Sequence, residues 1–134
     1  MADFATFDLA DAEEVVAPDG SAVRPLLRLP GVGSFAHFEL APNQVSHAVS
    51  HATVQEIWYV VAGEGRMWRR QGEREEIVHL REGTCLSIPL GTVFQFRATG
   101  AGLRAVAVTA PPWPLASEDE ARVAEGPWEV EERA

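Results

Sequence analysis

The chain has 134 residues, of which 46% are hydrophobic, a size that predicts one domain with a real core and leaves no room for two ordinary ones. Its formal charge of −9 and pI near 4.8 exclude nucleic acid and anionic membrane surfaces as partners, because a polyanion is repelled and no basic stripe offsets the average. Small molecules and protein partners remain. A single cysteine, Cys85, excludes an internal disulfide or a cysteine-based zinc cluster. The opening MADFATFDLADAEE has no basic segment followed by an apolar core, and no apolar run approaches the ~20 residues that cross a bilayer, so a soluble, cytoplasmic protein is expected.

In chain order, residues 1–25 are acidic and weakly patterned, with a turn at Pro18-Asp19-Gly20, and read as a lead-in or an edge segment. From Leu26 short apolar or alternating runs follow at 26–29, 34–40, 45–50, 56–62, 66–70, 76–80, 85–88, 93–98 and 103–109, separated by Gly- and Pro-containing breaks. Runs of this length and spacing predict an antiparallel all-β sandwich or barrel over 26–109. Cys85, in the run TCLSIP, reads as an ordinary buried thiol. The charges of RRQGEREE read as a solvated hairpin tip. Residues 116–126, ASEDEARVAEG, predict a short helix capped by Ser117. The extension 110–134 is rich in Pro and acidic residues, and its Trp113 and Trp128 call for apolar cover from the barrel or a partner subunit.

Strand alternation puts His47, Val49 and His51 on one face, and Glu56, Trp58 and Val60 on a face of the next strand. Ala52-Thr53-Val54 would link the two strands, and Gly63 with Gly65 would form the turn that ends the second. Downstream, a strand stops at Pro89, turns through Gly91 and re-enters with Phe94 and Phe96 on the same side. His37 and His79 alternate with apolar neighbours and read as solvent-facing.

These residues resemble the cupin superfamily, and in particular its small single-domain bacterial members. The first cupin motif is spaced as Asn43, Val49-Ser50-His51, Glu56 and Gly63 are here, and the second as Gly83, Pro89-Leu90-Gly91, Phe94 and Ala98. Asn43 stands at a glycine position and is the residue best able to adopt a positive φ there. The resemblance implies a jelly-roll β-barrel, usually with one divalent metal held by three histidines and a glutamate, and commonly a homodimer. Only His51 and Glu56 fall on ligand positions, whereas Val49 and Phe94 occupy two of the histidine positions. His47 could complete a set of three only across a β-bulge, because His47 and His51 lie about 13 Å apart in an extended strand at ~3.3 Å per residue.

Three functions stay open on the sequence. An apolar cavity lined by Val49, Trp58, Phe94 and Phe96 could bind a small organic molecule, with His51 as general base oriented by Glu56, suited to an isomerase, lyase or cyclase. A weakly held Zn, Fe, Mn or Ni on His51, Glu56 and His47 could instead run dioxygenase-like chemistry. A barrel that binds a small molecule without turnover is the third.

Overall fold

Period-two alternation of apolar side chains organises the chain from Ala22 to Ala110. The computed structural model describes residues 3–114 and 120–133, and among these the regular elements are strands apart from one 3-10 turn at Leu9–Asp11. The strands are β1 (Val15–Val16), β2 (Ala22–Leu29), β3 (Gly33–Leu40), β4 (Ala48–His51), β5 (Gln55–Gln71), β6 (Arg74–Arg81), β7 (Cys85–Ile88), β8 (Val93–Ala110) and β9 (Ala121–Ala124). All pairings are antiparallel, and the sheet curls into a cupin-type barrel.

Two long strands do most of the building. The first half of β5 pairs with the second half of β8, from Gln55↔Ala110 to Gly63↔Leu103, and the second half pairs from Gly65↔Ala98 to Arg70↔Val93. Each strand therefore serves two layers. One layer runs β2-β3-β8-β5-β7; the other runs β9-β4-β8-β5-β6.

The bend between the layers falls at Gly63 and Gly65, which the sequence led us to expect as a turn ending the strand. They lie inside β5 instead, at a register shift. The bend brings backbone so close that a Cβ on Gly63 would sit 2.1 Å from the Gly102 carbonyl oxygen, and one on Gly65 would sit 2.1 Å from that of Arg97. Gly63 also has φ 82°, a conformation side chains disfavour. Asn43, at φ 64°, takes the positive φ expected of it.

Alternation along β5 and β8 sends Trp58, Val60, Met67, Phe94 and Phe96 into the core. Trp58 stacks on Phe38 at 5.1 Å between ring centroids and meets Phe96 edge-on at 4.9 Å. Burying side chains of this size contributes about 1.5–3 kcal/mol each.

Four further expectations change. Residues 121–124 form β9, paired with β4, rather than part of a helix over 116–126; residues 115–119 of that expectation lie outside the described residues. Long-range pairing outweighs a weak local helix preference there. Cys85 is exposed, because the alternation that buries Leu86 and Ile88 turns it outward. His37 faces outward as well but is covered to 7% exposure, and burial holds its pKa below the ordinary value. The runs at 56–62 and 66–70 are one strand, as are those at 93–98 and 103–109.

The C-terminal extension folds onto its own barrel. The Trp128 carbonyl accepts from the Gln95 side-chain amide at 2.9 Å, its N–H donates back to Gln95 at 3.2 Å, and Arg97 lies over its ring. Among the described residues no helix is long and apolar enough to cross a membrane.

Gly63→Ala should lower unfolding stability by about 2 kcal/mol or more, since a left-handed non-glycine residue alone costs ~1–2 kcal/mol and the backbone contact adds to it. Urea denaturation checks this, with Gly72→Ala, whose Cβ would meet open space, as the milder comparison.

Candidate functional site

β4 and β5 bring the chemistry-bearing residues together. His51 ends β4, Glu56 lies next to the start of β5, and the turn at 52–54 reverses the chain between them. That turn is clasped by Glu120, whose carboxylate accepts from the N–H groups of Thr53 and Val54 at 3.0 Å each and from the Thr53 hydroxyl at 2.7 Å. The Glu120 carbonyl also accepts from the Ala52 N–H at 2.8 Å. Burial pushes the Glu120 carboxyl upward, but the hydrogen bonds from Thr53 and Val54 outweigh it and hold the pKa below its ordinary value.

Held this way, His51 Nε2 stands 2.8 Å from Glu56 Oε1, and both side chains are nearly buried. Three polar atoms around this pair are buried with no hydrogen-bond partner among the described residues: His51 Nδ1, Glu56 Oε2 and Trp58 Nε1. Native interiors leave few such atoms, so three on neighbouring residues single this place out as the candidate site.

The cavity they line is small and apolar, about 20 Å³ of space, room for about one water. Val49, His51, Glu56, Trp58, Phe38 and Trp113 contribute to its wall. Trp113 stands edge-on to His51 at 4.8 Å, with its backbone N–H donating to Ser34 Oγ at 2.9 Å. Asp19 is also in the wall. Its Oδ1 accepts from the Ser21 N–H at 2.8 Å and hydroxyl at 2.6 Å. Burial raises its pKa against those bonds, and the nearby Glu56 charge adds to the rise. A roomier groove of about 150 Å³ lies on the outside between Arg69, Arg74 and Thr92, but its arginines pair with Glu76 or a backbone carbonyl.

Of the residues singled out in the sequence, His51, Glu56, Val49 and Trp58 meet at the cavity. Phe94 lies behind it, paired across from Val49 and 5.5 Å from the His51 ring. Phe96 packs beneath Trp58. His47 stands apart. It precedes β4, its N–H is drawn to the Asp19 carbonyl at 2.8 Å, and it is not in the cavity wall.

Among the described residues no three His, Cys, Asp or Glu side chains come together as a metal-holding group. The chemistry of the donors agrees, since the methyls of Val49 and the ring of Phe94 offer no lone pair where a metal would need nitrogen. The residues present do not fit the divalent metal that the cupin resemblance implies.

Asp19, Phe38, Trp113 and Glu120 escaped sequence reading as site residues. Asp19 looked like turn chemistry and Glu120 like the first turn of a helix, and nothing local signals that distant strands collect them.

A family model described as Cupin domain matches residues 36–110. No curated protein sequence matches the chain. Among solved structures, the capsular polysaccharide assembling protein CapF from Staphylococcus aureus superposes with a TM-score of 0.73 at 14% identity, over 86% of this chain and 34% of that one. Oxalate decarboxylase from Bacillus subtilis gives 0.72 at 16% identity over 92% and 33%. A variant of PAC13 from Streptomyces, described with uridine, gives 0.69 at 13% identity over 90% of each chain. The chain thus spans about a third of CapF and of the decarboxylase, and the likeness at these identities is one of fold.

The two buried carboxyls predict opposite pH dependences. Glu120 has a lowered folded pKa, so its stabilisation is present above its ordinary value of 4.5 and is lost as pH falls through the folded value. Glu120→Gln should cost about 1.5–3 kcal/mol at neutral pH, as expected for hydrogen bonds to a charged group, and progressively less in acid. Asp19 has a raised folded pKa, so its contribution is greatest below 3.8 and is lost as pH rises through the folded value. Asp19→Asn should therefore raise the melting temperature at mildly alkaline pH, with the gain shrinking toward pH 3.8. Thermal melts of both variants across pH check the two signs.

Proposed function

The chain belongs to the cupin family, and from that premise we propose that it binds a small organic molecule in its barrel and moves a proton on it with the His51–Glu56 pair. The observation that supports this most is the set of buried, unpartnered atoms His51 Nδ1, Glu56 Oε2 and Trp58 Nε1 around an otherwise apolar cavity. Ligand sites have that make-up, mostly apolar with a few oriented polar groups.

With the Glu56 carboxylate accepting from Nε2–H, the neutral imidazole keeps its lone pair on Nδ1. Nδ1 then takes a proton from an acidic C–H of the substrate. The C–H bond electrons pass into an adjacent carbonyl to give an enolate, and the imidazolium formed lies against the Glu56 carboxylate. The indole N–H of Trp58 is a donor for the enolate oxygen. Exchange of the imidazolium N–H with solvent followed by reprotonation of the original carbon completes isotope exchange, whereas delivery of the proton to the γ-carbon of a β,γ-unsaturated carbonyl completes isomerisation, and no other reactant is consumed. Because the closed cavity admits about one water, a substrate enters by displacing Trp113 from the His51 ring.

The test is deuterium uptake from D2O into a panel of enolisable carbonyl compounds, followed by proton NMR. The wild type should speed exchange of at least one class, and His51→Gln should lose about 10²–10⁴-fold of that rate, the usual worth of a positioned base. Glu56→Gln should lose rate too. Exchange equal to buffer across the panel, or unchanged in His51→Gln, would overturn the reading. Uridine is a sensible first ligand for binding assays, since the PAC13 match covers 90% of each chain.

Metal analysis separates this from the metal-dependent alternative. Protein made without an affinity tag and dialysed should hold well under one equivalent of divalent metal, whereas the double variant Val49→His, Phe94→His should bind it far more tightly, because two donors become four. Stoichiometric metal on the unmodified pair would favour the alternative.

A further inference from the structure

Building on the proposed binding of a small molecule in the barrel, we infer that its ligand is a small carbonyl compound carrying a protonated amine, held by Asp19 and Glu56, and that carboxylate-bearing compounds are excluded. The charges in the wall set the sign. Of the described residues that line the cavity, only Asp19, His51 and Glu56 ionise, and none is arginine. The chain has no lysine at all. Both carboxyls are buried, at 7% and 4% exposure, and the imidazole alone opposes them. A ligand carboxylate would enter as one more buried anion with no cation to meet it, which a protein interior holds only at great cost.

Asp19 sits in the turn between β1 and β2, where its carbonyl accepts from the His47 N–H at 2.8 Å and the next carbonyl, of Gly20, accepts from the Gln44 side-chain amide at 2.9 Å. The turn is therefore pinned on the cavity. Both bonds to the Asp19 carboxylate, from the Ser21 N–H and hydroxyl, go to Oδ1, and among the described residues none goes to Oδ2. Turn chemistry accounts for Oδ1 alone. Burial, and after it the Glu56 charge, raise the Asp19 pKa against the Ser21 bonds and the His51 charge, as happens to a carboxylate with no cation beside it.

The open valences of the wall describe the ligand that would fill them. Glu56 Oε2 is a buried acceptor without a donor, Trp58 Nε1 is a donor without an acceptor, and His51 Nδ1 carries the lone pair directed at a C–H. An α-amino ketone answers all of these together with Asp19 Oδ2. Its ammonium offers three N–H donors to share between the two carboxylates, its carbonyl oxygen accepts from Trp58, and the carbon beside that carbonyl presents its hydrogen to His51. A hydroxyl in place of the ammonium has one donor, so it would satisfy one carboxylate and neutralise neither. The space of about 20 Å³ also suits a head group the size of one water, as an ammonium is.

The test is calorimetric titration with three enolisable methyl ketones of similar size and different charge: aminoacetone, hydroxyacetone and pyruvate, at mildly acidic pH without oxygen. Aminoacetone should bind about 10–100-fold more tightly than hydroxyacetone, the worth of a hydrogen bond to a charged group, and pyruvate should bind more weakly than either. Asp19→Asn, which keeps an acceptor for Ser21 but not the charge, should bring aminoacetone down to the level of hydroxyacetone. A preference unchanged in that variant would overturn the assignment to Asp19. Hydroxyacetone or pyruvate binding as tightly as aminoacetone to the wild type would overturn the ligand class, as would no detectable binding of any of the three, and these readouts need no variant to fold. Deuterium exchange on the same compounds tells the two proposals apart. Aminoacetone preference without exchange would overturn proton transfer by His51 and leave the ligand class standing, whereas exchange on other carbonyl compounds with no amine preference would do the reverse.

Discussion

The pairing of β5 with β8 is the constraint on which the rest of the molecule depends. Both strands are longer than a flat sheet of this size can use, and their mutual register survives a bend only because Gly63 and Gly65 let backbone approach backbone where a Cβ would collide. The bend converts one sheet into two layers around a core, and it sets which residues of β5 can meet which of β8. Trp58 between Phe94 and Phe96 follows from that register, and the pairing of β4 with β8 adds Val49 across from Phe94. The cavity is therefore a by-product of strand geometry, and its chemistry depends on which side chains the pleat points inward.

Within the cavity the balance is between desolvation and pairing. A lone buried carboxylate or imidazole in an apolar wall would cost several kcal/mol, and the His51–Glu56 hydrogen bond offsets part of that cost for both. Neither is fully satisfied among the described residues, since each keeps an unpartnered atom there. A purely structural pair would be expected to have its remaining valences met by nearby backbone. The protein instead spends a buried carboxylate, Glu120, on the turn that sets the distance between them. The hydrogen bonds are thus divided unevenly, with the supporting turn fully satisfied and the His51–Glu56 pair only partly so.

The barrel, its approximate strand runs and the pocket pair were legible in the sequence because they depend on period-two alternation, on glycine and asparagine at bends, and on spacing between fixed points such as Asn43, His51, Glu56 and Gly91. Alternation says which residues share a side, but it does not say whether an outward side is wet. His37 and Cys85 show the two errors this allows: His37 faces out yet is covered by neighbours on other strands, while Cys85 sits in an apolar run yet faces out. Glu120 and Asp19 were illegible for a different reason. Each is placed by pairing with residues more than twenty-five positions away, Glu120 with the 52–54 turn and Asp19 with His47, and no local pattern encodes such a meeting. The extension from Ala121 shows the same thing at the level of an element, where local helix preference gave way to an available edge of β4.

Because β5 alternates strictly over residues 55–60, the inner and outer faces of the molecule are not independent there. Glu56 and Trp58, which face the cavity, are interleaved with Ile57 and Tyr59, which face out, and all four are joined to β7 and β8 by one ladder of backbone hydrogen bonds. A substitution that shifted the register by one residue would exchange the two sets, placing a carboxylate on an apolar surface and a tyrosine in the cavity. The sequence at 55–60 is thus constrained from both sides, by the cavity and core on even positions and by the exterior on odd ones.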